Sequence, residues 1–146
     1  MAVFVFFLAG LISVAFGCSC DHREPREKFC FSEFVGVVTT FATEALKDGT
    51  TVYATAVNRI FKSSDRLALP VIEVVTDSLE EKCGLPHLKN ATQYLLNGNA
   101  VVAPIKTELI KYALQIDSCS QLSTEPWDHI PHDIKKALEN ESYKPC

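Results

Sequence analysis

Six cysteines constrain this chain more than any other residue type, and their distribution is lopsided. Cys18, Cys20 and Cys30 crowd near the start, whereas Cys83, Cys119 and Cys146 are spread over the remainder. The count is even and a greasy leader precedes the first of them, so disulfides are the expected state rather than free thiols or a zinc site. Six cysteines permit many pairings, and spacing alone selects none of them. Cys18 and Cys20 stand two apart in the sequence, and a bridge between them would close a strained small ring, so each is expected to reach a distant partner. If the early cysteines pair with the late ones, every loop is long and chain entropy yields about 4 kcal/mol per bridge before strain. The first residues after the leader would then be fastened to the domain at two points, where ordinary termini fray.

The leader itself, "MAVFVFFLAGLISVAFG", has no charged side chain and places the small residues Ala15 and Gly17 just before Cys18. That pattern predicts a secretory signal peptide over residues 1–17, cleaved after Gly17. Its apolar run is shorter than the ~20 residues a spanning helix needs, and a polar segment follows, so no membrane anchor is expected in the mature chain. Residues 18–146 suit a single secreted domain. The formal charge is −4 and no basic run is present, which argues against nucleic acid as a partner. Asn90-Ala91-Thr92 and Asn140-Glu141-Ser142 are acceptor triplets for N-glycosylation in an exported chain.

Past the early cysteines the composition turns to β-branched and aromatic residues. "FVGVVTTFAT" (34–43) and "TVYATAVNRIF" (51–61) flank "KDGT", whose Asp-Gly supplies a turn, and together they predict a hairpin. "PVIEVVTD" from Pro70 and "YLLNGNAVVAP" from Tyr94 continue the strand pattern, with Asn97-Gly98-Asn99 marking a turn or bend inside the latter. "ELIKYALQI" (108–116) reads as a strand among strands. After Cys119 the period changes. Trp127, Ile130, Ile134 and Leu138 recur three to four apart, predicting a helix that begins close to Pro131, with Trp127 as a core anchor. Five strands and a helix suggest a mostly β fold, a small closed or partly closed barrel with helical cover.

Several residues together resemble a known family, the tissue inhibitors of metalloproteinases. They are Cys18-Ser19-Cys20, Pro25, Phe29-Cys30, Cys83-Gly84, Cys119 followed by Pro126-Trp127, and Cys146. The resemblance runs the length of residues 18–146 and implies a five-stranded OB-like (netrin-like) barrel with flanking helices and three disulfides: Cys18–Cys83, Cys20–Cys119 and Cys30–Cys146. It implies an inhibitor of secreted zinc metalloendopeptidases of the matrix metalloproteinase type, not an enzyme. Such an inhibitor has no cofactor of its own and binds the zinc of its target. The residues correspond to the first domain of the longer members. Asp21-His22 stands where the family tends to an apolar residue and a Pro, Lys82 occupies a commonly uncharged contact position, and the apolar Phe34–Val38 replaces a usually basic stretch.

The chemistry can be argued beside the name. A catalytic protease zinc holds three protein ligands and a water, leaving the fourth position open to another donor. Signal cleavage would turn the Cys18 nitrogen into a free α-amine, which with the Cys18 carbonyl oxygen can close a five-membered chelate ring on that metal. The amine has a reference pKa of about 8, and metal binding displaces its proton. Ser19 would then enter the primed specificity pocket. Cys20 and Asp21 continue the edge, and Glu81, Lys82, Cys83 and Gly84 would line the same ridge beside the terminus. A floppy terminus would lose about 1 to 2 kcal/mol per residue on ordering, a cost that disulfides meet during folding.

Duller readings stand beside these. Cys18-Ser19-Cys20 also suits a non-inhibitory secreted netrin-like module that binds matrix or signalling proteins, and an acylated Cys18 would make a lipid-anchored domain instead. His22, His87, His129 and His132 lack converging thiolates or carboxylates and read as exposed polar residues. No Ser/His/Asp constellation is legible, and the thiols are oxidised, so no enzyme is predicted. A monomer is expected, with proteases and the extracellular matrix as partner classes.

Overall fold

The computed structural model describes residues 17–146, so the leader reading lies outside the described residues apart from Gly17. Five strands follow a short helix: α1 (Pro25–Phe31), β1 (Phe34–Ala45), β2 (Thr50–Lys62), β3 (Val71–Asp77), β4 (Thr92–Val102) and β5 (Tyr112–Gln115), before a closing helix α2 (His132–Glu139). They close into a barrel in the order β1-β2-β3-β5-β4, with β4 returning to β1. Every pair is antiparallel except β3 with β5. This is the closed five-stranded barrel that the family resemblance implied.

Long strands coil into so small a barrel because they are bent. The β1–β2 register shifts between Val35 and Gly36, between Val37 and Val38, and between Thr40 and Ala42, and each irregularity adds local twist. The run Phe34–Val38 is apolar throughout because β1 is covered on both faces. Phe34 and Val38 join Tyr53, Ile72, Val74 and Leu114 in the barrel interior. Val35 and Val37 face the other way, against Phe29 of α1 and Ile134 and Leu138 of α2. Trp127 sits half-buried at this second cluster, tilted against Phe61 with ring centroids 6.3 Å apart.

The structure corrects three readings at the level of elements. Asn97-Gly98-Asn99 makes no turn: β4 continues through it, pairing with β1 up to Gly98 and with β5 from Asn99 onward. Gly98 is required by close approach, since a Cβ there would lie 2.0 Å from the Gln115 carbonyl oxygen. Asn97 is fully buried. Its side-chain amide donates to Ser32 Oγ (3.0 Å) and the Ser120 carbonyl (2.7 Å), and its Oδ1 accepts from the Leu122 amide (2.9 Å). The second correction is that only Tyr112–Gln115 of the 108–116 stretch is strand. The third concerns α1, which has no readable period because Phe29 is its only buried residue; Pro25 in its first turn was the one local signal. The α2 helix begins where expected, immediately after Pro131.

Three disulfides complete the fold: Cys18–Cys83, Cys20–Cys119 and Cys30–Cys146, spanning 65, 99 and 116 residues. At those separations chain entropy assigns each about 4 to 5 kcal/mol. The loop after Cys83 is strapped to the barrel by buried phenols. Tyr53 donates to the Leu85 carbonyl (2.6 Å) and accepts from the Leu88 amide (3.2 Å), and Tyr94 accepts from the Lys89 amide (2.9 Å).

One buried carboxylate has no such partner. Glu73 alternates with the interior residues Ile72 and Val74 on β3, is 9 % exposed, and leaves Oε2 without a hydrogen bond among the described residues. Burial, and then the neighbouring Glu44 carboxylate, raise its carboxyl above the ordinary range. The folded state therefore holds this proton more tightly than the unfolded chain does, and stability falls as pH rises from the ordinary carboxyl value through the raised one. Glu73→Gln is expected to melt at a higher temperature than wild type at about pH 7, with the difference closing at about pH 4, as read by thermal scans. Asn97→Leu is expected to cost about 3 kcal/mol in denaturant unfolding with the disulfides intact, because it strands the Ser120 carbonyl and the Leu122 amide in the interior.

Candidate functional site

The site forms where the first described residues meet the turn after β3. A single 3₁₀ turn, Glu80–Lys82, ends at Cys83 in the left-handed conformation (φ 64°), with the Cys83 amide donating to the Glu80 carbonyl (3.0 Å). Gly84 follows because nothing larger fits: a Cβ would stand 1.9 Å from the Asp77 carbonyl oxygen. The Gly84 amide bonds the Leu79 carbonyl (3.1 Å), and the Cys83 carbonyl accepts from the Ser118 amide (2.8 Å). These bonds join the Cys83 turn to the segment carrying Cys119.

Onto this junction the disulfides lay the start of the domain. The Cys18 and Cys83 Cα atoms are 5.0 Å apart, and those of Cys20 and Cys119 are 5.3 Å apart. The two bridges abut. Cys18 Sγ lies 3.3 Å from Cys119 Sγ, Cys83 Sγ lies 3.5 Å from Cys119 Sγ, and all four sulfurs fall within 4.8 Å of one another. Among the described residues this is the only cluster of three or more possible metal ligands, and its sulfurs are consumed in disulfides. The site therefore holds no metal-ligating thiolate of its own.

Of the residues expected from the sequence, Cys18, Ser19 and Cys20 are held against Cys83 and Cys119 by the two bridges, Glu81, Lys82 and Gly84 adjoin Cys83 in its turn, and Asp21 follows Cys20 and is exposed. Cys18 and Cys83 are half-buried, Gly84 is buried, and Ser19, Cys20, Glu81 and Lys82 are exposed. Neither the Ser19 hydroxyl nor the Asp21 carboxylate has a side-chain partner among the described residues, whereas His22 is paired with Glu24 (3.2 Å). His87, His129 and His132 are exposed and converge on no metal-ligand set.

Sequence reasoning missed the other wall. A shallow groove of about 560 Å³ runs beside Gly17 and Cys18, lined by Leu79, Glu80, Pro86 and His87. Leu79 is 47 % exposed there, an apolar side chain offered to solvent at the edge of the ridge. Its place one turn before Cys83 was the available signal. Ser118 was also missed, though it adjoins Cys119 and its hydroxyl lies 3.8 Å from Cys18 Sγ.

In the described chain Gly17 still precedes Cys18, so the Cys18 nitrogen is an amide. No helix among the described residues is long and apolar enough to cross a membrane.

Comparison with known proteins agrees with this geometry. The family profile described as "Tissue inhibitor of metalloproteinase" matches residues 16–146. A metalloproteinase inhibitor 3 of Xenopus laevis is 24 % identical over 157 aligned positions, covering the whole of this chain and 67 % of that protein. A metalloproteinase inhibitor 3 of Scyliorhinus torazame is 25 % identical over 146 positions, covering 93 % of this chain and 63 % of that protein. The chain thus spans about two thirds of the length of these relatives. With the six cysteines joined as the resemblance implied and the profile matched from residue 16 to residue 146, the chain belongs to the tissue inhibitor of metalloproteinase family, a family of inhibitors and not of enzymes.

Proposed function

We propose that the protein is a secreted inhibitor of zinc metalloendopeptidases that acts through the terminus created by cleavage after Gly17. The observation that carries this reading is the position of Cys18: first after the expected cleavage site and bonded to Cys83 at the centre of an exposed ridge. Cleavage converts the Cys18 amide into an amine, giving one residue two donors, the nitrogen and the carbonyl oxygen, at the spacing of a five-membered chelate. These occupy the coordination position that water holds in the free protease. No peptide bond precedes Cys18 in the mature chain, so the target has nothing to cut.

Ser19 follows into the primed pocket, its hydroxyl having no partner among the described residues, and Leu79, Glu81 and Lys82 contact the rim. Rigidity makes the chelate strong. The two abutting disulfides order residues 18–20 before binding, so association does not pay for that ordering again. Exposed Asn90 and Asn140 carry N-glycans in this reading, and the chain acts as an extracellular monomer.

The direct test compares the protein beginning at Cys18 with one carrying an additional alanine before it, against a panel of matrix-degrading metalloproteases. The native terminus should inhibit, and the extended one should lose about a hundredfold or more in affinity, since the chelating nitrogen becomes an amide. Equal potency of the two forms would refute the mechanism. Ser19→Gly should raise inhibition constants about tenfold while leaving the melting temperature unchanged, because it removes a side chain that only the target touches.

A further inference from the structure

Behind the ridge lies a second concavity that the chelate mechanism does not use. It measures about 300 Å³ and sits between α1, the β4–β5 pair and the Cys83 turn. Arg23, Lys28 and Lys82 all line it, and none of the three forms an ion pair among the described residues. Two carboxylates line it as well, and both accept hydrogen bonds from residues two or three further along the chain. Asp117 accepts from the Ser120 amide (2.9 Å) and hydroxyl (2.8 Å), and Asp77 accepts from the Leu79 amide (2.9 Å). The Asn99 side-chain Oδ1 accepts from the Glu33 amide (2.9 Å), and the Asn99 NH₂ group at the cavity lining has no hydrogen-bond partner among the described residues. Three cations outnumber the two carboxylates round this cavity, in a protein whose overall charge is −4. General attraction for anions is weak in such a chain, so this positive character is local.

We infer that this cavity receives a side-chain carboxylate of the protein docked on the ridge, an acidic residue at the rim of the target's active-site cleft. The inference rests on the reading that the ridge docks on a protease. Lys82 and Cys83 belong to both surfaces, so a partner seated on the ridge overhangs the mouth of the cavity. A carboxylate suits the planar fork of Arg23, which can donate two parallel N–H hydrogen bonds to the two carboxylate oxygens, with Lys28 and Lys82 as flanking charges. Lys28 is held in place by its bond to the Gln121 carbonyl (3.0 Å), and Arg23 lies over the Phe31 ring (5.2 Å from its centroid). The site would select among proteases by the charge of their rims, favouring those with an acidic residue in reach and mainly raising the association rate.

Two measurements decide it. The first uses the free mature protein and needs no protease: an amide-detected NMR titration with N-acetylglutamate amide, and in parallel with inorganic sulfate. Saturable shifts are expected at Gly98, Asn99 and Ser120 with the carboxylate. They should be lost in Arg23→Gln and regained in part in Arg23→Lys. Shifts that do not saturate, or that survive Arg23→Gln, would overturn the proposal, and a response to sulfate alone would overturn it in favour of a sulfated ligand. The second measures association with the protease panel at low and high salt. Arg23→Glu should slow association about tenfold on targets with acidic rims and flatten its salt dependence, while Lys136→Glu on α2 should do neither. Wild-type inhibition unaffected by Arg23→Glu would refute the inference while leaving the zinc reading intact. Absence of wild-type inhibition would refute the zinc reading, and the titration alone would then decide the carboxylate site.

Discussion

Two disulfides that touch each other organise this molecule. Cys18–Cys83 and Cys20–Cys119 bring a terminal segment, a turn after β3 and the segment after β5 to a single point, with four sulfurs inside 4.8 Å. Either bridge alone would leave a pivot. Together they fix both position and direction of residues 18–20, which no run of secondary structure holds. The hydrogen bond from the Ser118 amide to the Cys83 carbonyl knits the two anchoring segments, so the bridges bear on one rigid base and not on two independent loops.

The barrel serves that base. Gly84 and Gly98 are places where backbone meets backbone too closely for any side chain, one under the ridge and one under the cavity behind it. Between them, Asn97 uses every polar atom of its side chain to connect the end of α1 with the chain after Cys119. A buried amide so fully satisfied specifies one arrangement of its neighbours, because any alternative leaves donors and acceptors stranded. The buried Glu73 is the opposite case, an incompletely partnered group away from the ridge whose ionisation works against the fold.

How much of this could be read beforehand differs by element. The hairpin of β1 and β2 was legible from β-branched runs on either side of an Asp-Gly turn, and α2 from apolar residues at helical spacing. The ridge was legible only because the cysteine pattern resembled a family; composition alone left the pairing open. α1 was not, since a helix of seven residues with one buried side chain has no period to detect. Asn97-Gly98-Asn99 misled because polar and glycine residues mark turns when exposed, and here burial reverses their meaning: the Asn is a hydrogen-bonding hub and the Gly a point of contact between strands. The cations of the rear cavity could not be assembled in advance, as Arg23 and Lys28 lie more than fifty residues from Lys82 in the chain.

Local chemistry, then, was determined by the sequence itself: an uncharged apolar opening, an even set of cysteines, strands of β-branched residues, and a helix of apolar residues at its own spacing. Periodicity and composition act over a few residues, so they are legible without a fold. The tertiary structure decided which atoms meet. Bridges across 65 and 99 residues, an amide buried among three segments, and three cations gathered round one cavity without a direct ion pair are all products of chain closure. No local preference encodes a distance between residues so remote; only the packing of the closed barrel sets it.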